Sequence, residues 1–186
     1  MPVMPTDQTA PVPLELVRAF VNTLDVEDSL DALANRAEAH DWLAAHGLDG
    51  GERSVAEDDR ERLVAVREAL RALLDANNAG ERPPADALAV LNEQSAEAAV
   101  ALRFDADGAA LVTSCGGVDS VIARLLSIVH DSMNDGTWRR LKACPAEDCR
   151  WAFYDHSRNR SGTWCEIGKC GNRAKARRFR ERHKPS

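Results

Sequence analysis

The chain has no lysine before Lys142, a single tyrosine, and no apolar run approaching the ~20 residues that a membrane-spanning helix requires. That last absence excludes an integral membrane protein of the helical kind. The opening residues, Met1-Pro-Val-Met-Pro-Thr-Asp7, carry no basic group ahead of an apolar stretch, so no secretory signal is expected and the expected location is cytoplasmic. Also missing are a Ser/His/Asp cluster, a phosphate-binding glycine loop and a paired-acid motif, so no enzymatic activity is expected. With 44% hydrophobic and 29% charged residues among 186, the chain can nonetheless bury a core of ordinary domain size.

What is present is unevenly placed. Residues 1–137 hold 10 arginines against 25 carboxylates, a balance of −15, whereas residues 138–186 hold 14 basic residues against 5 acids, a balance of +9. Trp138, Trp151, Phe153, Tyr154, Trp164 and Phe179 are six of the nine aromatics, and all fall in that basic segment. An acidic body with a basic, aromatic-rich tail implies two units with different partners, the tail's being an anion.

The proline-rich residues 1–13 read as a flexible leader. From Leu14 the apolar spacing is helical, through Val17, Val21 and Leu24. A second helix is expected after Asp28 or Ser29 as N-cap, carrying Leu30, Leu33, Ala37 and Leu43 and stopping at Gly47. Ser54-Val-Ala-Glu57 has the pattern of a capping box. It opens a third helix with Leu63, Val66, Leu70, Leu73 and Leu74 on one face, fraying through Asn77-Asn78 to Gly80. Pro83-Pro84 starts a short helix, and Asp107-Gly108 sits at the turn of a β-hairpin within residues 100–113. A last, deeply packed helix runs from Val118 to about Met133. The body at 14–135 is therefore mainly α with one small hairpin. Asn134-Asp-Gly136 is the expected hinge to a second unit at 138–186.

That second unit contains Cys144, Cys149, Cys165 and Cys170, two C-x4-C pairs, with Cys115 apart as a small buried hydrophobe. Paired spacing of this kind suits one structural Zn²⁺, because each short loop offers two thiolates and the second pair completes a tetrahedron. A segment this short cannot easily bury a self-sufficient core, and a metal cross-link supplies the missing stability. Two disulfides would use the same residues, but a cytosolic setting disfavours them. A catalytic zinc would need an open position that four cysteines do not leave. Release of zinc on thiol oxidation is compatible with the structural role and stays open as a redox switch. His156 is a bystander beside four thiolates. A knuckle, a hairpin from Trp151-Ala-Phe-Tyr154 returning at Thr163-Trp164, and a helix capped by Asn172 make a treble-clef-like module.

The final helix is strongly cationic. Arg173, Arg177, Arg180 and Lys184 form one stripe, Lys175, Arg178 and Arg182 a second, and Ala176, Phe179 and His183 an apolar side expected to pack on the hairpin. Like charges at this density repel along a helix, and a polyphosphate partner reverses that term. Arginine outnumbers lysine, which favours bidentate contacts to phosphate or guanine. Double-stranded DNA is the expected partner, with Arg158 and Arg160 in the preceding turn as further backbone contacts. The alternatives are docking on the acidic body, stacking of RNA bases on the aromatics, and an adaptor recognising an acidic protein.

The run Cys165-Glu-Ile-Gly-Lys-Cys170-Gly171-Asn172-Arg173-Ala-Lys-Ala-Arg-Arg resembles the CGNR zinc finger, and Cys144-Pro-Ala-Glu-Asp-Cys149-Arg-Trp-Ala-Phe-Tyr-Asp-His-Ser-Arg-Asn resembles its first half. Phe20-Val-Asn-Thr-Leu-Asp25, Trp42-Leu-Ala-Ala-His-Gly47 and Leu70-Arg-Ala-Leu-Leu74 resemble, in that order, the ABATE domain that precedes such fingers. The resemblance implies a stress-related transcription regulator with a mainly helical body and a zinc-binding DNA module. It makes Cys144, Cys149, Cys165 and Cys170 the metal ligands. Asn22, Thr23 and Asp25, where the body's resemblance is strongest, are the candidate residues for a small-molecule effector pocket. A homodimer would double the contacted half-sites and is the expected assembly if the body dimerises.

Overall fold

A computed structural model describes residues 9–49, 54–106 and 108–182, without the side chains of Arg178 and Glu181. Helix α1 (Leu14–Val21) buries Leu14, Val17, Phe20 and Val21, the face its apolar spacing predicts. The second helix starts later than expected. Asp25 Oδ1 accepts the N–H groups of Glu27 and Asp28 at 3.0 and 3.1 Å, and this turn folds residues 24–31 into a miniature hairpin of β1 (Leu24–Asp25) and β2 (Leu30–Asp31). Helix α2 (Arg36–Ala45) then begins under Asn35, whose side-chain oxygen accepts from the N–H groups of Ala37 and Glu38, both at 3.0 Å. Asparagine is as good a cap as aspartate or serine, so the geometry of the tight turn decided among the three.

Helix α3 (Glu57–Ala79) opens without the capping box: Ala56 is its N-cap, and Glu57 accepts from Arg60 Nε at 2.7 Å rather than reaching back to Ser54. It runs intact through Asn77 and Asn78 and ends at Gly80, whose φ of +71° needs a residue without a Cβ. Helix α4 (Ala85–Glu97) follows, then the hairpin β3 (Ala101–Asp105) and β4 (Gly108–Val112), and helix α5 (Gly117–Asp135). Of the described residues 54% are helical, so the fold is mainly α.

Leu63, Val66, Leu70, Leu73 and Leu74 on α3 form the centre of the core, against α1, α4 and α5. The same core continues past Gly136. A single 3₁₀ turn, Trp138–Arg140, inserts Trp138 into it. Strand β5 (Leu141–Ala143) then lies on α3, and its antiparallel partner β6 (Ala152–Tyr154) lies on α1. Leu141, Ala143, Ala152 and Tyr154 belong to one apolar cluster with the helices, so the segment at 134–136 joins two units that share their interior.

Candidate metal centre and basic helix

Cys144 and Cys149 sit in the loop that β5 and β6 enclose. The N–H of Cys144 donates to Trp151 O at 2.9 Å, and those of Cys149 and Arg150 both donate to Ala146 O, at 2.9 and 3.0 Å. Arg150 takes a left-handed φ of +53° to close this knuckle. The hairpin of the finger thus flanks the first cysteine pair; Thr163 and Trp164 form no return strand. Cys170 lies in a π-helical turn, Ile167–Gly171, that leads directly into α6 (Asn172–Arg182). Asn172 is the first residue of that helix and not its cap. Its Nδ2 donates back to Gly168 O at 2.9 Å, because the π turn already supplies the helix entry.

The four Sγ atoms all lie within 4.8 Å of one another, and all four cysteines are free thiols. Cys149 to Cys165 is 3.5 Å and Cys165 to Cys170 is 3.6 Å. A tetrahedral zinc with bonds of about 2.3 Å sets its sulfurs about 3.8 Å apart, so the cluster has the size of that polyhedron. The acid–base chemistry agrees. Hydrogen bonds from Cys149 and Cys165 pull the Cys144 thiol down to about 2, while the bond to Cys144 pushes Cys149 up to about 12 and Cys165 higher still. Cys144 forms a thiolate readily in this crowd while Cys149 and Cys165 resist; a dication removes the resistance. His156 is outside the cluster, with Nε2 2.9 Å from Thr9 O.

Arg173 belongs to the metal centre. Its Nη2 donates to Cys170 Sγ at 3.3 Å, and its Nη1 reaches Asp148 at 3.1 Å and Glu27 at 3.4 Å. The bond to the Cys170 sulfur raises its pKa above the usual arginine value. Lys169 also binds Glu27, at 2.6 Å, so the turn between β1 and β2 braces the ligand-bearing π turn. Lys175, Arg177, Arg180 and Arg182 are exposed on α6, and Ala174 is its buried residue. The apolar side expected to pack on the hairpin is not buried: Ala176 is exposed and Phe179 is 57% exposed. Lys184 and His183 lie outside the described residues, as does the Arg178 side chain.

The loop 155–162 hangs on a buried ion pair. Lys142 Nζ donates to Asp155 Oδ2, Arg160 O and Gly162 O, each at 2.7 Å, and both side chains are almost fully buried. Asp155 also accepts from the N–H groups of Ser157 and Gly162 at 2.9 Å. A Cβ on Gly162 would come within 2.6 Å of Asp155 Oδ1, which explains the glycine. Arg158 and Arg160 are exposed on this fixed loop, Arg160 at a φ of +54°.

The body's candidate residues are engaged in the fold. Asn22 bonds both backbone groups of Ala152, Thr23 Oγ1 donates to Phe20 O and accepts from Arg67 Nη1, and Asp25 caps its turn. Sequence reasoning missed the α3 residues that grip the finger. Arg71, fully buried, donates to Val21 O at 2.7 Å and Arg150 O at 2.8 Å. Asn77 Nδ2 donates to Trp138 O and Leu141 O, and Asn78 Nδ2 to Ala143 O and Thr163 O. The signal was available: Arg67 and Arg71 interrupt the apolar stripe of Leu63, Val66, Leu70 and Leu74, where an exposed arginine does not belong.

A helical body with a four-thiolate metal centre built onto its core is the class that fold and site define. The family model ABATE, described as "Putative stress-induced transcription regulator", matches residues 14–127, and the CGNR zinc finger model matches residues 140–183. The chain belongs to the ABATE family and carries a CGNR zinc finger in which Cys144, Cys149, Cys165 and Cys170 hold one zinc ion. No curated protein matches it. Among the described residues no helix is long and apolar enough to cross a membrane.

Proposed function

We propose that this protein is a DNA-binding transcription regulator whose zinc centre fixes α6 so that its cationic side meets duplex DNA. One contrast supports this reading. Lys175, Arg177 and Arg180 gather on one helix without an ion-pair partner among the described residues. In the body, by contrast, Arg18, Arg60, Arg62, Arg67 and Arg71 each pair with a carboxylate, and the unpaired Arg36, Arg82, Arg103 and Arg124 are scattered along the chain. Arg177 and Arg180 also line, with Arg173, Ala146 and Asp148, a hollow of about 250 Å³ beside the knuckle, a shape and charge suited to a backbone phosphate. Within this reading Arg158 and Arg160 are flanking contacts. The body is where a small-molecule effector or a second protomer acts, because its bonds to Ala152, Arg150 and Ala143 reach the finger directly.

The test is fluorescence anisotropy of the full-length, zinc-loaded protein with labelled duplex DNA over a salt series. Binding that weakens steeply with salt, and is lost when Lys175, Arg177 and Arg180 are all changed to glutamate, supports the reading. Tighter binding to single-stranded RNA than to duplex, or no binding to either, overturns it.

A further inference from the structure

We infer that the outer edge of β3 is where two copies of this chain pair, antiparallel about a two-fold axis at Phe104, to make a four-stranded sheet. The hairpin is the least covered element of the body. All five residues of β3 are exposed, Leu102 at 55% and Phe104 at 75%, and among the described residues β3 and β4 form a sheet of two strands only. Helix α5 packs against β4, whose last two residues are half-buried, which leaves β3 as the open side. A two-stranded sheet is marginal alone and gains most from further strands. An exposed apolar strand edge is the template that recruits them.

The pairing register supplies the argument for a second copy as the occupant. The turn between Asp105 and Gly108 has two residues, so these flanking residues exchange hydrogen bonds and the backbone groups of Leu102 and Phe104 point away from β4. Pairing the outward groups about an axis at Phe104 sets each Phe104 beside its counterpart. Arg103 of each copy then faces Asp105 of the other, twice per interface, at the position where opposed side chains come closest. A register centred on Leu102 instead would leave both charges unmatched. Over residues 103–105 the strand is therefore complementary to itself in charge, with Phe104 against its counterpart, as a two-fold interface requires.

Charge reversal tests this: Arg103 and Asp105 lie across from uncharged Ala110 and Gly108 within the hairpin, and circular dichroism of each variant checks that the fold is kept. Sedimentation velocity of the full-length, zinc-loaded protein over a dilution series should show a dimer. Arg103→Asp and Asp105→Arg should each weaken dimerisation about tenfold or more, by placing like charges opposite each other. The doubly reversed variant should restore it. A wild-type protein that stays monomeric throughout, single reversals that dimerise as wild type, or a double variant that fails to recover while its circular dichroism is native would each overturn the inference.

Discussion

Asn22 and Ala152 hold each other through two hydrogen bonds: Asn22 Nδ2 donates to the Ala152 carbonyl at 2.8 Å, and the Ala152 N–H donates to Asn22 Oδ1 at 2.7 Å. A side-chain amide of the helical body thus stands in for the strand that β6 lacks on that side. Removing it strands a buried donor and leaves the carbonyl only a 3.4 Å contact from Arg18 Nη1. Asn22→Ala should cost about 1–3 kcal/mol, read by urea unfolding of the zinc-loaded protein. Asn22→Asp, which sets a carboxylate against a carbonyl, should be no milder.

Arg71 makes the equivalent bond to the knuckle itself. Burial draws its pKa below the usual arginine value, with Glu68 opposing, yet its guanidinium is the donor for Val21 O and Arg150 O. Arg71→Met should cost about 1–3 kcal/mol for each carbonyl it abandons. Because Arg150 adjoins Cys149, the variant should also surrender zinc to a chromogenic chelator faster than wild type.

Arg173 and Arg177 lie four residues apart on the same helix and should fail differently. Arg173→Ala removes the hydrogen bond to Cys170 Sγ, and metal affinity should drop about 10–100-fold. Arg177→Ala should leave metal retention unchanged and lower the salt-dependence slope of DNA binding by about one unit. Equal zinc loss in the two variants would contradict the division of roles.

Asp155 gives the finger a dependence on acid. Burial alone would raise its pKa, but hydrogen bonds from Lys142 and Ser157 outweigh that and hold it below the ordinary carboxylate value. Its contribution to stability is therefore present above the unfolded pKa of about 4 and fades as pH falls through the folded value. The stability gap between wild type and Asp155→Asn should stay constant at neutral pH and shrink only in that acidic window. Zinc-thiolate protonation is common to both proteins and cancels in the difference.

Metal removal should not leave an intact body. Trp138, Leu141 and Ala143 fill the same interior as α3, so chelation should lower the unfolding temperature of the whole chain in one calorimetric transition. Two separate transitions would count against a common core.

The metal ligands and most helices were legible in the sequence because short-range spacing carries both signals. The C-x4-C pairs need only loop closure, and Leu63 to Leu74 need only a helical period. What escaped was decided over long range or by competition between neighbours. Asp28, Ser29 and Asn35 are all competent caps, and the bonds of Asp25 made the choice. Asn77 and Asn78 look like a fraying end until the strands they bind, more than 60 residues away, are in place. Lys142 counted as part of a cationic tail, but it is buried against Asp155 and offers nothing to DNA. Arg173, grouped by helical spacing with the outward-facing arginines, also bonds Cys170, Asp148 and Glu27, which spacing alone does not show.

The interior that runs unbroken beneath Gly136 has a consequence for how such proteins diversify. A module tethered by a slack string can be traded between proteins like a bead, but this one brings its own tryptophan and strands to wall off its neighbour. Recombination at that joint would strip both halves of a surface, so helices and finger should be inherited as a matched pair.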